Sequence, residues 1–414
     1  MNTQLPRIAK TFFVVGLLIQ CFPVVAGQPA ALERVVALLE SGREPVRIVC
    51  FGDSITGVYY HTGGRRAWCD MLGIALGRAF PRAQLEMFNA GISGNTSAAG
   101  LHRIEKDVLG HRPHLVVVMF GMNDVARAPR ETFEANLKSI VQRCRDAGAA
   151  VVLCTPNSVY ENPDRPIARL ATYAQTVRQV AAELSVPLAD CYRAYEDVRA
   201  GNPLAWKLLM SETIHPSMNG HRLFAEVMAQ TIAGRPVSLA DAAPPEDALR
   251  FTLERLRAGE PLEVIAMPPY DRIVPDALRE LFPAAKLAVV TWPTEGQSLG
   301  QLEQWAKTIR PKNPHLVVVA VPAAAGVDDE ETFVRSYSWV LNWSIGFGHQ
   351  TWDRIVILPS VTGSLTSDQK RSESLAAEII RGADAASVQR PAGDKRSAAA
   401  IVRDYLRRQL ALIP

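Results

Sequence analysis

The chain has 414 residues, more than the roughly 250 to 300 at which a single hydrophobic core stops growing, so two domains are expected. A hydrophobic content of 48% and a charged content of 21% are those of a globular protein and exclude a disordered or fibrous chain. The formal net charge of +3 is too small to indicate a nucleic acid or another polyanion as partner.

The N-terminus has the pattern of a secretory signal peptide over residues 1–26. Arg7 and Lys10 precede an apolar run that ends in the small-residue pattern of a cleavage site. An uncleaved membrane anchor is the weaker alternative, because the run is shorter than the roughly 20 apolar residues of a membrane-spanning helix. A lipid anchor at Cys21 is a minor alternative, since Gln20 stands where a small residue is required. We therefore expect a secreted or periplasmic protein without stable membrane insertion.

The cysteines do not have the spacing of a metal or disulfide framework. Removal of the signal peptide leaves an odd number of them with no CxxC motif, so at least one is free or paired between chains. Cys50 and Cys154 lie in apolar runs, and we expect both to be packed core thiols. The cysteines after the signal peptide are Cys50, Cys69, Cys144, Cys154 and Cys191.

The rest of the first half alternates short apolar runs with amphipathic segments. Continuous Val, Ile and Leu runs predict strands buried on both faces of a parallel sheet. Apolar residues recurring every three or four positions predict a helix over 133–147. Each half is therefore expected to be a three-layer α/β domain whose ligand crevice lies beyond the carboxyl ends of the strands. The predicted strands span 46–51, 85–89, 115–120, 151–155 and 187–191.

Four short motifs follow these elements. Gly-Asp-Ser-Ile at 52–55 follows the first strand, Asn-Ala-Gly-Ile-Ser-Gly at 89–94 the second, and Gly-Met-Asn-Asp at 121–124 the third. Glu-Thr-Ile-His-Pro at 212–216 precedes a helical segment. Taken singly, these are an N-cap serine, two Gly/Asn turns and a structural histidine. At a strand-to-helix turn, however, the serine would have its N–H at a helix N-terminus, where negative charge is stabilised.

Together and in this order, the motifs resemble those of the SGNH (GDSL-like) hydrolase family over residues 45–234. The resemblance implies a flavodoxin-like three-layer α/β/α domain that hydrolyses carboxylic esters without a metal or cofactor. It implies that Ser54 is the nucleophile and His215 the general base. It also implies an oxyanion hole formed by the N–H groups of Ser54 and Gly91 and the side-chain amide of Asn123.

The chain departs from the family pattern at Glu212. The family usually has aspartate three residues before the histidine, whereas this chain has a side chain one methylene longer. Both carboxylates serve in catalytic triads, so we predict that Glu212 orients His215. A backbone carbonyl is the alternative.

Other polar residues near the motifs have less defined roles. Asp53 belongs to the family motif, and we expect it to support the turn that aims Ser54. A run of residues after the nucleophile is predicted to line the substrate pocket, with a solvated loop as the equal alternative. That run supplies Tyr59, Tyr60, His61, Arg65 and Arg66. The remaining histidines of this half lack metal-ligand spacing and are expected at the surface; they are His102, His111, His114 and His221.

The second half repeats patterns of the first in the same order. Pro-His-Leu-Val-Val-Val at 113–118 returns at 314–319, and Glu-Thr-Phe at 131–133 returns at 331–333. We predict a duplicated domain. The expected division is a catalytic domain over 31–236, a linker over 237–246 and a second copy over 247–414.

The second copy is expected to be degenerate and noncatalytic. When the two halves are aligned through their repeated motifs, Pro268-Pro269-Tyr270 falls on Gly52-Asp53-Ser54, and Ala324 falls on Asn123. After His349 there is no histidine to serve as a base. Three roles stay open for this half: binding a glycan, forming a wall of the active cleft, or pairing with another subunit in a homo-oligomer.

The expected function is hydrolysis of a small-molecule or glycan ester, with removal of small acyl groups such as acetate from carbohydrate. This expectation rests on the family, on export, and on the lack of a long apolar lid segment suited to lipid. A lipid or thioester hydrolase and a glycan acyltransferase are alternatives within the enzymes. A noncatalytic glycan-binding protein is the alternative from another class.

Overall fold

A computed structural model describes residues 29–325 and 329–412. The predicted signal peptide lies outside these residues. Two parallel sheets and two hydrophobic clusters organise the described chain, the first cluster running from Ala31 to Ala242 and the second from Ala248 to Leu406. We refer to residues 29–242 as the first half and to 248–412 as the second half.

The first half contains five strands and nine α-helices within the described chain. The predicted strands are all present, each within about two residues of its expected ends. The strands are β1 (Pro45–Gly52), β2 (Gln84–Gly91), β3 (Leu115–Met119), β4 (Ala150–Cys154) and β5 (Leu188–Ala189). The helices are α1 (Pro29–Ser41), α2 (Trp68–Ala79), α3 (Ser97–Asp107), α4 (Asp124–Arg127), α5 (Arg130–Asp146), α6 (Ile167–Glu183), α7 (Cys191–Gly201), α8 (Pro203–Leu208) and α9 (Met218–Ala233).

The sheet of the first half has the order β2-β1-β3-β4-β5, with parallel pairing throughout. β3 and β4 are buried along their whole length, as their continuous apolar sequences predict. Two groups of helices cover the sheet: α2 packs on α9, and α5 packs on α3 and α6. This is the flavodoxin-like three-layer arrangement, and its switch point lies between β1 and β3.

The second half has a sheet of the same order, β7-β6-β8-β9-β10, also parallel throughout. The strands are β6 (Leu262–Ala266), β7 (Leu287–Thr291), β8 (Leu316–Val319), β9 (Asp353–Ile357) and β10 (Ala386–Val388). The helices are α10 (Arg250–Arg257), α11 (Tyr270–Leu281), α12 (Leu299–Ala306), α13 (Ile309–Lys312), α14 (Glu330–Trp343), α15 (Ser367–Gly382) and α16 (Ala398–Leu412).

Repeated residues occupy equivalent places in the two sheets. Nδ1 of His114 accepts the N–H of Arg47 at 3.0 Å beside β1 and β3, and Nδ1 of His315 accepts the N–H of Glu263 at 2.9 Å beside β6 and β8. The strand register also matches, because Ile48 pairs with Leu115 as Val264 pairs with Leu316. These equivalences are consistent with duplication.

Polar contacts join the two halves. The buried carboxylate of Asp384 receives the guanidinium of Arg66 at 2.7 Å. Ser211 donates its hydroxyl to Oδ1 of Asn342 at 3.1 Å, and Nδ2 of Asn342 donates to the carbonyl of Ser211 at 3.3 Å. Both residues of the second pair are buried, so this contact is shielded from water. None of the described helices has the length and apolar character needed to cross a bilayer.

Candidate active site

Ser54 lies in a tight turn directly after β1. The carbonyl of Asp53 accepts the N–H groups of Thr56 and Gly57, both at 3.1 Å, and Oδ1 of Asp53 accepts the N–H of Ile55 at 2.9 Å. Asp53 therefore closes the turn with both its main chain and its side chain. The expected helix N-terminus at Ser54 is wrong, because the next α-helix begins only at Trp68. The hydrogen-bonded turn holds the serine at the strand end instead.

Ser54, His215 and Glu212 form a hydrogen-bonded series. Oγ of Ser54 is 2.8 Å from Nε2 of His215, and Nδ1 of His215 contacts Oε1 of Glu212. The same carboxylate accepts the backbone N–H of His215 at 2.8 Å. Burial opposes the ionisation of Glu212, but the hydrogen bonds from His215 outweigh it and hold the pKa of Glu212 below its usual range. The ionised carboxylate is therefore placed to orient the imidazole.

Two further histidines lie beneath His215. His61 is buried and stacks on His215, with ring centroids 4.7 Å apart and planes at 9°, and its Nε2 lies 3.2 Å from the carbonyl of Ser54. His221 lies behind His61 at 5.6 Å. Burial holds the pKa of His61 well below its usual range and lowers the pKa of His221 to about 3, so both rings are neutral. The neutral stack supports the His215 ring without adding a competing charge.

The surface position expected for His221 is wrong. Its side chain is fully buried, and its Nδ1 accepts the N–H of Trp68 at 2.8 Å at the start of α2. Its placement in the first turns of α9, which packs on α2, explains the burial. His114 is half-buried and has the structural role given above.

The candidate oxyanion donors lie at the ends of β2 and β3. The N–H of Gly91 donates to Oδ1 of Asn89 at 3.0 Å. A side chain at Gly91 would meet the N atom of Gly57 at 2.1 Å, so only glycine fits beside the nucleophile turn. Nδ2 of Asn123 donates to the carbonyl of Asn95 at 3.0 Å and faces Oδ2 of Asp53 at 3.4 Å. The strand ends thus bring both donors to the serine turn.

Two arginines that the sequence did not indicate hold these loops. Nε of Arg165 donates to the carbonyl of Met122 at 2.8 Å, and its Nη2 donates to Oδ1 of Asn123 at 3.1 Å. This contact turns the amide so that Nδ2 faces the serine turn. Arg103 donates to Oδ1 of Asn95 at 2.7 Å and to the carbonyl of Gly52 at 2.8 Å. The position of Arg165 after β4, at the carboxyl edge of the sheet, is the signal that could have indicated it.

The run after the nucleophile divides into two groups. Tyr60 lies beside His215, with ring centroids 6.3 Å apart, and the hydroxyl of Tyr59 accepts the N–H of Ser93 at 2.9 Å. Arg65 and Arg66 do not reach the site, because Arg65 pairs with Asp247 and Arg66 with Asp384. Their assignment to the substrate pocket is therefore wrong, and they join the two halves. The same assignment is wrong for His61, because its ring is buried against that of His215.

Aromatic side chains of the second half reach this site. Trp339 stacks on Tyr60 with centroids 6.2 Å apart, and Phe347 lies 5.5 Å from Tyr59 and 5.7 Å from Tyr60. The carbonyl of Phe347 accepts the N–H of Tyr60 at 3.0 Å. Sequence reasoning left three roles open for this half, and no motif marked these rings.

No cluster of residues suited to a metal ion occurs in the described part of the chain. The cysteines of the described chain are buried and free, and Cys50 and Cys154 lie in the core as expected. When the two sheets are matched by strand register, Tyr270 occupies the position equivalent to Ser54, and Ala324 the position equivalent to Asn123. A cavity of about 330 Å³ at that position is lined by Tyr270, Pro322 and neighbouring residues.

Comparisons with known proteins place the similarity in the first half. A sequence model of the GDSL-like lipase/acylhydrolase family matches residues 50–223. An acetylxylan esterase of Geobacillus stearothermophilus is 30% identical over 168 residues, which are 37% of this chain and 74% of that protein. An uncharacterized lipoprotein of Bacillus subtilis (strain 168) is 27% identical over 208 residues, which are 43% of this chain and 84% of that protein.

Among solved structures, an arginine-to-alanine mutant of an acetyl-xylooligosaccharide esterase from Geobacillus stearothermophilus matches with 27% identity and a TM-score of 0.40. The match covers 45% of this chain and 94% of that one.

Proposed function

The chain belongs to the GDSL-like lipase/acylhydrolase family and is a carboxylic ester hydrolase, and from that premise we propose that it works through an acyl-enzyme on Ser54. The observation that carries this proposal is the series from Ser54 through His215 to Glu212, with Oγ 2.8 Å from Nε2. A serine hydroxyl is a weak nucleophile until a base removes its proton, and an imidazole held by a carboxylate is such a base.

In the proposed mechanism, Ser54 and His215 carry out the proton transfers and bond changes of both acylation and deacylation. Oγ of Ser54 attacks the ester carbonyl while Nε2 of His215 takes the hydroxyl proton. The carbon–oxygen bond to the alcohol then breaks, and His215 returns the proton to the departing alcohol. Water attacks the acyl-enzyme by the same route: His215 takes a proton from the water, the acid is released, and the proton returns to Oγ. The carboxylate of Glu212 offsets the positive charge that His215 carries in both steps.

The negative oxygen of the tetrahedral intermediate requires donors at the serine turn. We assign these to the N–H groups of Ser54 and Gly91 and to Nδ2 of Asn123, with the N–H of Gly91 exchanging Oδ1 of Asn89 for the substrate oxygen. The contact of Nδ2 with Asp53 is long at 3.4 Å, so the hydrogen on that side is the one that substrate can recruit. Arg165 keeps the amide in the required orientation through Oδ1.

The proposed substrate is a small acyl ester of a carbohydrate, with acetate as the acyl group. Relatives named acetylxylan esterase and acetyl-xylooligosaccharide esterase support this choice. The N-terminal sequence and a lipoprotein relative support export from the cytoplasm. We further propose that the second half is a noncatalytic copy of the first, since its sheet order and strand register match and its nucleophile position holds Tyr270.

The substrate proposal is tested by comparing kcat/KM for acetylated xylooligosaccharides with that for p-nitrophenyl esters of acetate, butyrate and octanoate. We expect the acetyl esters to be turned over fastest and the octanoate ester slowest. Faster hydrolysis of octanoate than of acetate would favour the lipid hydrolase instead. Adding an unacetylated xylooligosaccharide distinguishes a transferase from a hydrolase. Only a transferase would convert the added sugar to an acetylated product and release less free acetate. Hydrolysis of none of these esters would leave the glycan-binding alternative.

A further inference from the structure

An aromatic cluster spans the two halves beside the catalytic histidine. We define this aromatic platform as Tyr60 from the first half and Trp339, Trp343 and Phe347 from the second. Tyr60 stacks on Trp339 with planes at 22°, and Trp339 stacks on Trp343 at 5.7 Å with planes at 24°. Phe347 lies 5.7 Å from Tyr60. The rings form a continuous series that begins at the catalytic centre.

Arg310 fixes the platform from the second half. Its guanidinium lies 4.9 Å from the centre of the Tyr60 ring and 4.3 Å from that of Trp343. Its nitrogens also donate to the carbonyls of Ile345 at 2.9 Å and Asn342 at 2.7 Å. Those carbonyls belong to the end of α14 and the loop after it, so Arg310 ties the segment carrying Trp343 and Phe347 to Tyr60. A platform held in this way is ordered before substrate arrives.

The platform lies beside His215 and is partly exposed, with Tyr60, Trp339 and Trp343 half-buried. Tyr60 is 6.3 Å from the ring of His215. Phe347 keeps 56% of its surface exposed, one of the few large apolar side chains of the described chain to do so. Phe347 contacts Tyr59 and Tyr60 yet leaves most of its surface to solvent, and exposed apolar rings near a catalytic centre commonly bind ligands.

We propose that the second half completes the active site by supplying this aromatic platform as the binding surface for a sugar ring of the substrate. The proposal rests on the proposed carbohydrate esterase function and names what the second half contributes to it. A pyranose has one face rich in C–H groups and a rim of hydroxyls. The exposed ring of Phe347 and the uncovered parts of the stacked rings offer apolar surface for the first, while the phenol and indole edges offer polar groups for the second. An extended acyl chain would require an enclosed apolar groove instead.

The sugar ring and the acetyl group then occupy different surfaces. The acetyl carbonyl lies at Ser54, whereas the alcohol part of the ester extends along Tyr60 toward Trp339 and Phe347. Removing platform rings should therefore weaken action on oligosaccharides without altering the chemistry. A small ester with no sugar makes no use of the platform and reports the chemistry alone.

The test compares Trp339→Ala, Phe347→Ala and the double variant on acetylated xylooligosaccharides and on p-nitrophenyl acetate. Removing one stacked ring should lower kcat/KM on the oligosaccharide by roughly 2- to 10-fold, mainly through a higher KM. The double variant should lose about 10-fold or more. On p-nitrophenyl acetate we expect a change of less than about 2-fold. Trp305→Ala is the matched control, because Trp305 is a half-buried tryptophan of the second half that stacks on Trp292 instead.

Trp339→Phe distinguishes a loss of stacking from a folding defect, because it keeps an aromatic ring and should retain most of the activity on the oligosaccharide. Equal losses on both substrates in the folded variants, or an equal loss in Trp305→Ala, would overturn the platform proposal while leaving the esterase intact. Unchanged oligosaccharide kinetics in the double variant would also overturn it. Failure of wild type to hydrolyse either ester would instead count against the proposed function.

Discussion

Replacing Asp53 with asparagine should separate the stability of the nucleophile turn from its activity. Burial raises the pKa of Asp53 from 3.8 to about 6. A carboxyl whose pKa is higher in the folded state binds its proton more tightly there, so its contribution to stability is lost as pH rises from about 4 to 6. At roughly 1.4 kcal/mol per pKa unit, keeping Asp53 ionised costs about 3 kcal/mol at neutral pH. Asp53→Asn removes this cost.

Activity should move in the opposite direction. An asparagine can still accept the N–H of Ile55 through Oδ1, but its amide then faces Nδ2 of Asn123 and two donors meet. We expect the displaced Asn123 to lower kcat by about 10-fold or more. Asp353→Asn is the matched control, because burial raises the pKa of Asp353 to about 7 and that residue lies on β9, away from Ser54.

The assay is urea unfolding of wild type and both variants near pH 4 and near pH 8, together with turnover. Relative to wild type, the free energy of unfolding of Asp53→Asn should rise by about 2 to 3 kcal/mol between pH 4 and pH 8. For Asp353→Asn the corresponding rise should be at least as large, and turnover should be unchanged. A difference between Asp53→Asn and wild type that does not vary with pH would refute the raised pKa. Unchanged turnover in Asp53→Asn would refute the role of Asp53 in placing Asn123.

Three further substitutions test the supporting contacts. Glu212→Gln should lower kcat by roughly 100-fold because it removes the charge that holds His215, whereas Glu212→Asp should cost less; equal rates in Glu212→Gln and wild type would point to another orienting group. Arg165→Lys should lower kcat by about 10-fold with little change in KM, since an ammonium cannot replace the two directed contacts of the guanidinium; a change in KM alone would contradict this. Asn342→Ala should cost about 1 to 3 kcal/mol of stability, because the buried hydroxyl and carbonyl of Ser211 lose this partner, and it should lower kcat; unchanged urea unfolding and unchanged turnover would contradict a role for this contact.

The strand positions and the motif positions could be predicted from the sequence because they depend on local pattern. Continuous apolar runs predicted β3 and β4, and parallel strands end at one edge of a sheet. Ser54 and Asn123 follow their strands directly, so their proximity was predictable. His215 lies far along the chain, and only the family resemblance brought it to this edge.

The errors concern contacts that no local pattern records. Arg65 and Arg66 follow the nucleophile as substrate-binding residues would, but their partners Asp247 and Asp384 lie in the second half. The burial of His221 depends on α9 packing against α2. The aromatic platform depends on how the two halves meet, which the spacing of Trp339 within α14 does not reveal.

Turnover of Ser54→Ala on p-nitrophenyl acetate, measured against wild type, tests the central claim most directly. Alanine removes the Ser54 oxygen that lies 2.8 Å from Nε2 of His215, while the closed turn around Asp53 remains. The account predicts a folded variant with turnover below about a thousandth of wild type, since removing one member of such a triad costs at least that much. Retained turnover above about a hundredth of wild type would contradict it.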